Sequence, residues 1–344
     1  MIDRTEKDII ATWGKNVDIN NPVVTIKCLT FNHKDFISTA LDGMLMQITN
    51  FPFEIVVHDD ASTDGTIQIL QEYEKKYPNL IHVIYEEENQ YSKKIDFNKK
   101  INDLMKGKYI ANCEGDDYWI DEHKLQKQMD YMQDNPDVIM CFTNFNRWFQ
   151  RTQVMQYSLL TTNPQQFKSE FTLKEWILEK PYIAPMTWFV KREAWDSFYS
   201  QKPMDTVDES FVMVTHYLHL GKVACLKDET TAVYRSLVES VSHTVDSKKM
   251  YQRMENLHQV QLLLIDRYNV GADFKQIVED NYYSATYKLI LLAGPKNERE
   301  KCKAYCKSLK GKALYLLTSV NVTRGIINWL WKKRLSYSER KMRA

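Results

Sequence analysis

Phe53-Glu-Ile-Val-Val-His-Asp-Asp-Ala-Ser-Thr-Asp-Gly-Thr66 opens on an apolar run, passes through two aspartates and closes on glycine and threonine. A run with so little polar alternation fits a strand buried on both faces, the condition of a parallel sheet covered by helices. The next residues, Asp64–Tyr77, carry Ile67, Ile69, Leu70 and Tyr73 at helical spacing. The same alternation extends to both sides. Val23–Leu29 reads as a strand before a helix over Lys34–Gln47. Leu80–Tyr85 and Lys108–Cys113 read as strands, with a helix over about 93–105 between them. A helix over Glu122–Gln133 stops at Asn135-Pro136, and Val138–Phe145 is a further strand. The class is α/β, Rossmann-like, with a mostly parallel sheet flanked by helices.

Beyond residue 247 the spacing is helical throughout, over 247–268, 273–293, 297–317 and 321–341, punctuated by Gly271 and Gly294-Pro295. This predicts an α/β domain over 1–245, with one half at about 20–120 and another at about 121–245. A helical C-terminal region follows over 246–344. The 344 residues are 44% hydrophobic and include only 10 Gly and 9 Pro, which excludes collagen-like, linker-rich and disordered classes. Net charge is +1, which argues against nucleic acid as a partner, but its distribution is uneven. From Lys296 to Ala344 there are 14 Lys+Arg and 3 Asp+Glu, leaving 32 basic and 42 acidic residues elsewhere. A basic tail on an acidic body suggests an anionic partner. No apolar leader follows Met1 and no stretch is apolar enough to span a bilayer, so the expected location is cytoplasmic. The six cysteines are scattered, as reduced buried thiols would be.

The strongest chemical signal is Cys113-Glu-Gly-Asp-Asp-Tyr-Trp119, at the carboxyl end of a strand, where open α/β sheets bind ligands. Three carboxylates within four residues repel one another unless a cation lies among them. Oxygen-only ligands suit Mg²⁺ or Mn²⁺ shared with a substrate phosphate; a plain acidic turn is the other reading. In His58-Asp-Asp-Ala-Ser-Thr-Asp64, Ser62, Thr63 or Asp64 can cap the following helix. Asp59 and Asp60 precede that cap and can accept bonds from a base or ribose. Leu29-Thr-Phe-Asn-His33 lies at a third strand end, where a turn can offer backbone groups and a ring to a nucleobase.

Together, "TIKCLTFNHKDFISTALDGML", "FEIVVHDDASTDGT" and "GKYIANCEGDDYW", in that order, resemble the family-2 glycosyltransferases of bacterial capsule and cell-surface glycans, which have the GT-A fold. The resemblance covers about residues 20–245. It implies transfer of a sugar from a nucleotide donor, usually a UDP-sugar, to a glycan or lipid-linked acceptor with inversion. By position, Thr30, Phe31 and Asp60 become base and ribose contacts. Glu114, Asp116 and Asp117 stand for the metal motif, with Asp116 or Asp117 as the direct ligand and Glu114 orienting the ribose or the loop. The general base falls within Asp205-Thr-Val-Asp-Glu209: Asp208 first, then Glu209, then Asp205. His243 is placed for the metal or the diphosphate, Arg235 for the diphosphate, and Trp119 for the donor pocket wall. Trp148, Trp176 and Trp188 offer rings to the acceptor.

First-turn helix carboxylates are the alternative for 205–209, and a surface loop is the alternative for His243. A nucleotidyltransferase-like enzyme or a non-catalytic nucleotide-sugar binding module are the competing functions, although the first-strand loop has no glycine-rich phosphate cradle. Tail residues such as Ile326, Trp329 and Trp331 precede Lys332-Lys-Arg334, which predicts peripheral attachment to the inner leaflet; packing as a homodimer is the other reading.

Overall fold

The computed structural model describes residues 3–15, 17–162, 168, 170–201, 208–237 and 246–341. Two compact units divide the chain. One comprises Met1–Thr172, Pro181–Pro203 and His216–Leu237, and the other Leu173–Lys180, Met204–Thr215 and Val238–Ala344.

Among the described residues the first unit holds a sheet of nine strands: β1 (Val24–Thr30), β2 (Phe53–Asp59), β3 (Ile81–Tyr85), β4 (Tyr109–Asn112), β5 (Tyr118–Trp119), β6 (Val138–Phe149), β7 (Val154–Gln156), β8 (Trp188–Lys191) and β9 (Lys222–Ser236). The order is β3-β2-β1-β4-β8-β6-β9-β5, with β7 beside β6. Its first four strands are parallel, as the apolar runs require. Thereafter the sheet is mixed: β8 runs antiparallel to β4 and β6, and β5 antiparallel to β9. Every residue of β2 is buried, and each fully covered Ile or Val contributes about 1.5–3 kcal/mol. One buried polar cluster fixes β4 beside β1. Glu54 accepts from Thr25 Oγ1 and from the Lys106 amide, both at 2.6 Å, and the Gly107 amide donates to Thr25 Oγ1 at 2.8 Å. A Cβ on Gly107 would lie 2.3 Å from the Thr25 nitrogen, so only glycine allows this approach.

The second unit is helical over Ser247–Arg267, Ala272–Ala293, Lys296–Lys301, Leu309–Ser319 and Asn321–Lys341. The single helix expected over 297–317 is broken. A 3₁₀ turn at Cys302–Tyr305 interrupts it, and Ser308 caps the next helix by accepting from the Gly311 amide at 3.0 Å. The break lets Cys302 and Cys306 turn into a core with Tyr251, Tyr282, Tyr283 and Leu289. All six cysteines are free and buried.

His258 packs in this unit, its ring 4.0 Å from that of Tyr282 and parallel to it within 1°. Burial, then the Lys180 charge, pulls its pKa down to about 4. The folded state therefore refuses a proton that the unfolded chain accepts below its ordinary value near 6.5. Stability present at neutral pH is lost as pH falls from about 6.5 through about 4, by at most about 3 kcal/mol. Urea titrations at neutral pH and near pH 4.5 should show this loss, and His258→Phe, which keeps the stack, should largely remove it. An unchanged acid slope in the variant would assign the loss to other groups.

Candidate active site

The chain leaves β1 toward β2 on one side and returns to β4 on the other, so the β1 and β4 ends flank a topological switch point. The diverging loops at such a point leave a crevice for ligands. Three strand ends meet there. Past β4 the chain follows β1 to its end: Lys27 O accepts from the Cys113 amide at 3.0 Å and Leu29 O from the Gly115 amide at 2.9 Å. The Asp60 amide donates to Thr30 O at 3.0 Å.

The β1 and β2 loops are stitched together. Asn32, at φ 54°, donates its amide to Ser62 Oγ at 2.8 Å and accepts from the Thr63 amide at 2.8 Å. Asp59 is used internally: Ser62 donates its amide to Oδ1 at 2.9 Å and its hydroxyl to Oδ2 at 2.6 Å. None of Ser62, Thr63 and Asp64 is the N-cap: Gly65, at φ 110°, holds that position of the helix Thr66–Lys76 without a side-chain capping bond, and Asp64 accepts the Thr66 amide at 3.0 Å from one residue further out. Asp60 accepts the amides of Gln90 at 2.6 Å and Tyr91 at 3.1 Å. Phe31, directly after β1, is 42% exposed.

Gly115 sets the acidic loop against the first turn. A Cβ there would lie 2.7 Å from Thr30 Oγ1 and 2.9 Å from His33 Nδ1, and those two atoms are themselves 3.2 Å apart. Burial lowers the His33 pKa despite the nearby carboxylates of Asp116, Asp64 and Asp59. From the other side β9 clamps the loop. The Arg235 amide donates to Asp117 Oδ1 at 2.7 Å, Arg235 Nη1 donates to Asp116 O at 2.8 Å, and the guanidinium lies 4.3 Å over the Tyr118 ring.

The electrostatics of this loop are those of unbalanced negative charge. Burial and then Asp116 push the Glu114 carboxyl up to about 7, and Glu114 Oε2 is buried without a hydrogen-bond partner among the described residues. Burial, then Asp116 and Glu114, hold Asp117 well above the carboxylate range. An orphaned buried oxygen among carboxylates fits a hard divalent cation in donor chemistry. Yet no three His, Cys, Asp or Glu side chains converge as a metal site among the described residues. Asp116 or Asp117 would thus supply part of a shell that a substrate's oxygens complete.

Thr30 at the end of β1, Arg235 near the end of β9, and the loop residues Phe31, Asp60, Glu114, Asp116 and Asp117 therefore lie at adjoining strand ends of the first unit. Asp208 lies in the second unit, ahead of the helix Glu209–Leu220, and its Oδ1 accepts from Arg253 Nη2 at 2.9 Å. Glu209 opens that helix. Asp205 and His243 lie outside the described residues. Two acceptor expectations are corrected: Trp176 and Trp188 are each only 1% exposed, packed in cores where no sugar can stack. Trp119 is likewise buried, its Nε1 donating to Met186 O at 2.8 Å, and Lys124 Nζ lies 4.3 Å over its ring. A lone arginine in a helical run carries no local signal, so the pairing of Arg253 with Asp208 has no sequence pattern to announce it.

Residues 27–197 match the family model described as glycosyl transferase family 2. Uncharacterised proteins of Mycobacterium tuberculosis and Mycobacterium bovis are 29% identical over 247 residues, 67% of this chain; the chain spans 64% of their length. TuaG of Bacillus subtilis, named for glycosyl transfer in teichuronic acid biosynthesis, is 28% identical over 69% of this chain and 90% of its own. Among solved structures, Staphylococcus aureus TarS residues 1–349 with UDP-GlcNAc superimposes with a TM-score of 0.56 at 15% identity, over 92% of each chain. A Pyrobaculum calidifontis mannosyltransferase with GDP-Man and Mn²⁺ gives 0.53 at 15% identity, over 95% of this chain and 94% of its own. The shared fold is GT-A.

Proposed function

Residues 27–197 make this chain a member of glycosyl transferase family 2, and on that premise we propose that it transfers a sugar from a UDP-sugar to an acceptor hydroxyl with inversion. The acceptor is a glycan or lipid-linked sugar of a capsular or other cell-surface polymer, met at the cytoplasmic face of the membrane. TuaG's named pathway supports the polymer class. TarS with UDP-GlcNAc supports the nucleotide class, and the mannosyltransferase with Mn²⁺ supports the metal.

The observation that carries the reading is the acidic loop Glu114–Asp117. It is held at the switch point between two strand ends, with a buried carboxylate oxygen that no described residue bonds. Asp116 or Asp117 would hold a Mn²⁺ or Mg²⁺ there, which would supply a counter-charge for the departing diphosphate. Phe31 gives a ring face to the base, and Thr30 and Asp60 take the base and ribose. A carboxylate has about four acceptor positions, so Asp60 retains capacity beyond its bonds to Gln90 and Tyr91. Arg235, whose Nη1 is engaged by the Asp116 carbonyl, has further N–H groups for phosphate. Asp208 takes the proton of the attacking hydroxyl.

Release of UDP from a panel of UDP-sugars, with and without Mn²⁺, tests the proposal. Metal-dependent release from one donor is expected. UDP binding that does not depend on metal, with no turnover of any donor, would instead favour the non-catalytic module. In calorimetry Asp60→Ala should weaken UDP binding by about tenfold, the worth of one charge-assisted bond. Unchanged affinity would remove Asp60 from the donor site.

A further inference from the structure

In the second unit the helix Asn321–Lys341 leaves Val322, Ile326, Trp329 and Leu330 exposed at 73%, 55%, 59% and 52%. Their spacing, i, i+4, i+7 and i+8, puts them on one face. Leu316, Leu317 and Val320, just before this helix, are also exposed. The face is fixed from behind: Ser247 donates its hydroxyl to Asn328 Oδ1 at 2.7 Å. Lys333 continues the stripe, with its ammonium 5.0 Å over the Trp329 ring.

We propose that this stripe is the membrane-contact surface of the protein and that its partner is the headgroup region of an anionic phospholipid bilayer. The inference deepens the proposed meeting with a lipid-linked acceptor, and rests on that reading only for its purpose. Two features choose the bilayer over a second copy of the chain. An isologous dimer brings each patch against its own image, and residues 322–333 carry three basic and no acidic residues, so the two images would repel. Anionic headgroups attract the same charges while the interfacial region accepts the apolar stripe and the tryptophan ring. No described helix is long and apolar enough to cross a membrane, so attachment along the surface is the geometry this stripe allows.

Flotation of the full-length protein with phosphatidylglycerol-containing vesicles should recover at least about tenfold more protein than with phosphatidylcholine alone, and less at high salt. The double variant Ile326→Asp, Trp329→Asp changes exposed side chains only, so circular dichroism and unfolding should match the parent while vesicle binding falls at least about tenfold. Lys333→Glu should reduce binding to anionic vesicles and leave the neutral baseline unchanged. Equal flotation of parent and double variant, or none by the parent, overturns the proposal. So does sedimentation showing a parent dimer that the double variant abolishes. UDP release measured without vesicles should be the same for parent and double variant, so failure of the sugar-transfer reading is scored separately from failure of this surface.

Discussion

Asp116→Ala and Asp117→Ala are expected to abolish sugar transfer, lowering kcat/KM by at least about a hundredfold each, the scale on which removal of one charge-stabilising group acts. The reason lies in the loop's present imbalance. Three carboxylates share one short loop, one with an oxygen that no described residue bonds, and two are pushed toward the protonated form. Such a cluster is costly unless its charge is used. Asp117 also has a mechanical part, since its Oδ1 receives the Arg235 amide at 2.7 Å and so ties β9 to the loop. The two parts separate with Asp117→Asn, which keeps an acceptor for that amide and removes the charge. If Asp117→Asn is as inactive as Asp117→Ala while its melting temperature stays near the parent's, the charge is what matters. Near-normal metal-dependent activity in both alanine variants would show that the metal is held elsewhere.

The first four strands of the sheet were legible because their signals are local. β1, β2 and β4 each hold a set of apolar residues (Val24, Ile26, Cys28 and Leu29; Phe53, Ile55, Val56 and Val57; Tyr109, Ile110 and Ala111), and each is followed within a few residues by the polar turn that ends it. Loop and ligand edge coincide in such folds, so Thr30, Asp60 and Glu114–Asp117 could be placed from their positions alone. What stayed hidden depends on long-range pairing. Arg235 binds Asp116 and Asp117 across 119 and 118 positions. β8 inserts between β4 and β6 in the opposite direction. Neither fact has a local pattern to announce it. The tryptophans misled for a related reason. A ring suited to stacking a sugar is equally suited to a core, and only the surrounding packing assigned Trp176 and Trp188 to the latter. The break at Cys306 was hidden too, because Ser308 can cap a new helix or sit within a continuous one.

Asp208→Asn is expected to remove transfer while leaving UDP affinity intact, because a base acts on the acceptor proton and not on the nucleotide. Loss of a positioned base costs about a hundredfold to ten-thousandfold in rate. The substitution is conservative in shape: an amide oxygen can still accept from Arg253, now 2.9 Å from Asp208 Oδ1, and the Phe211 amide still has the Asp208 carbonyl at 3.1 Å. A fall in activity with unchanged UDP binding and unchanged stability would therefore report the missing base and not a disturbed helix start. Glu209→Gln is the control. Glu209 is in the first turn of its helix, where neutralising a carboxylate at the positive dipole end costs only about 0.3–1 kcal/mol of stability. Its activity should stay within a few fold of the parent's. Should Glu209→Gln be inactive and Asp208→Asn active, the base is the next residue along. Should both be active, the proton acceptor lies outside residues 208 and 209.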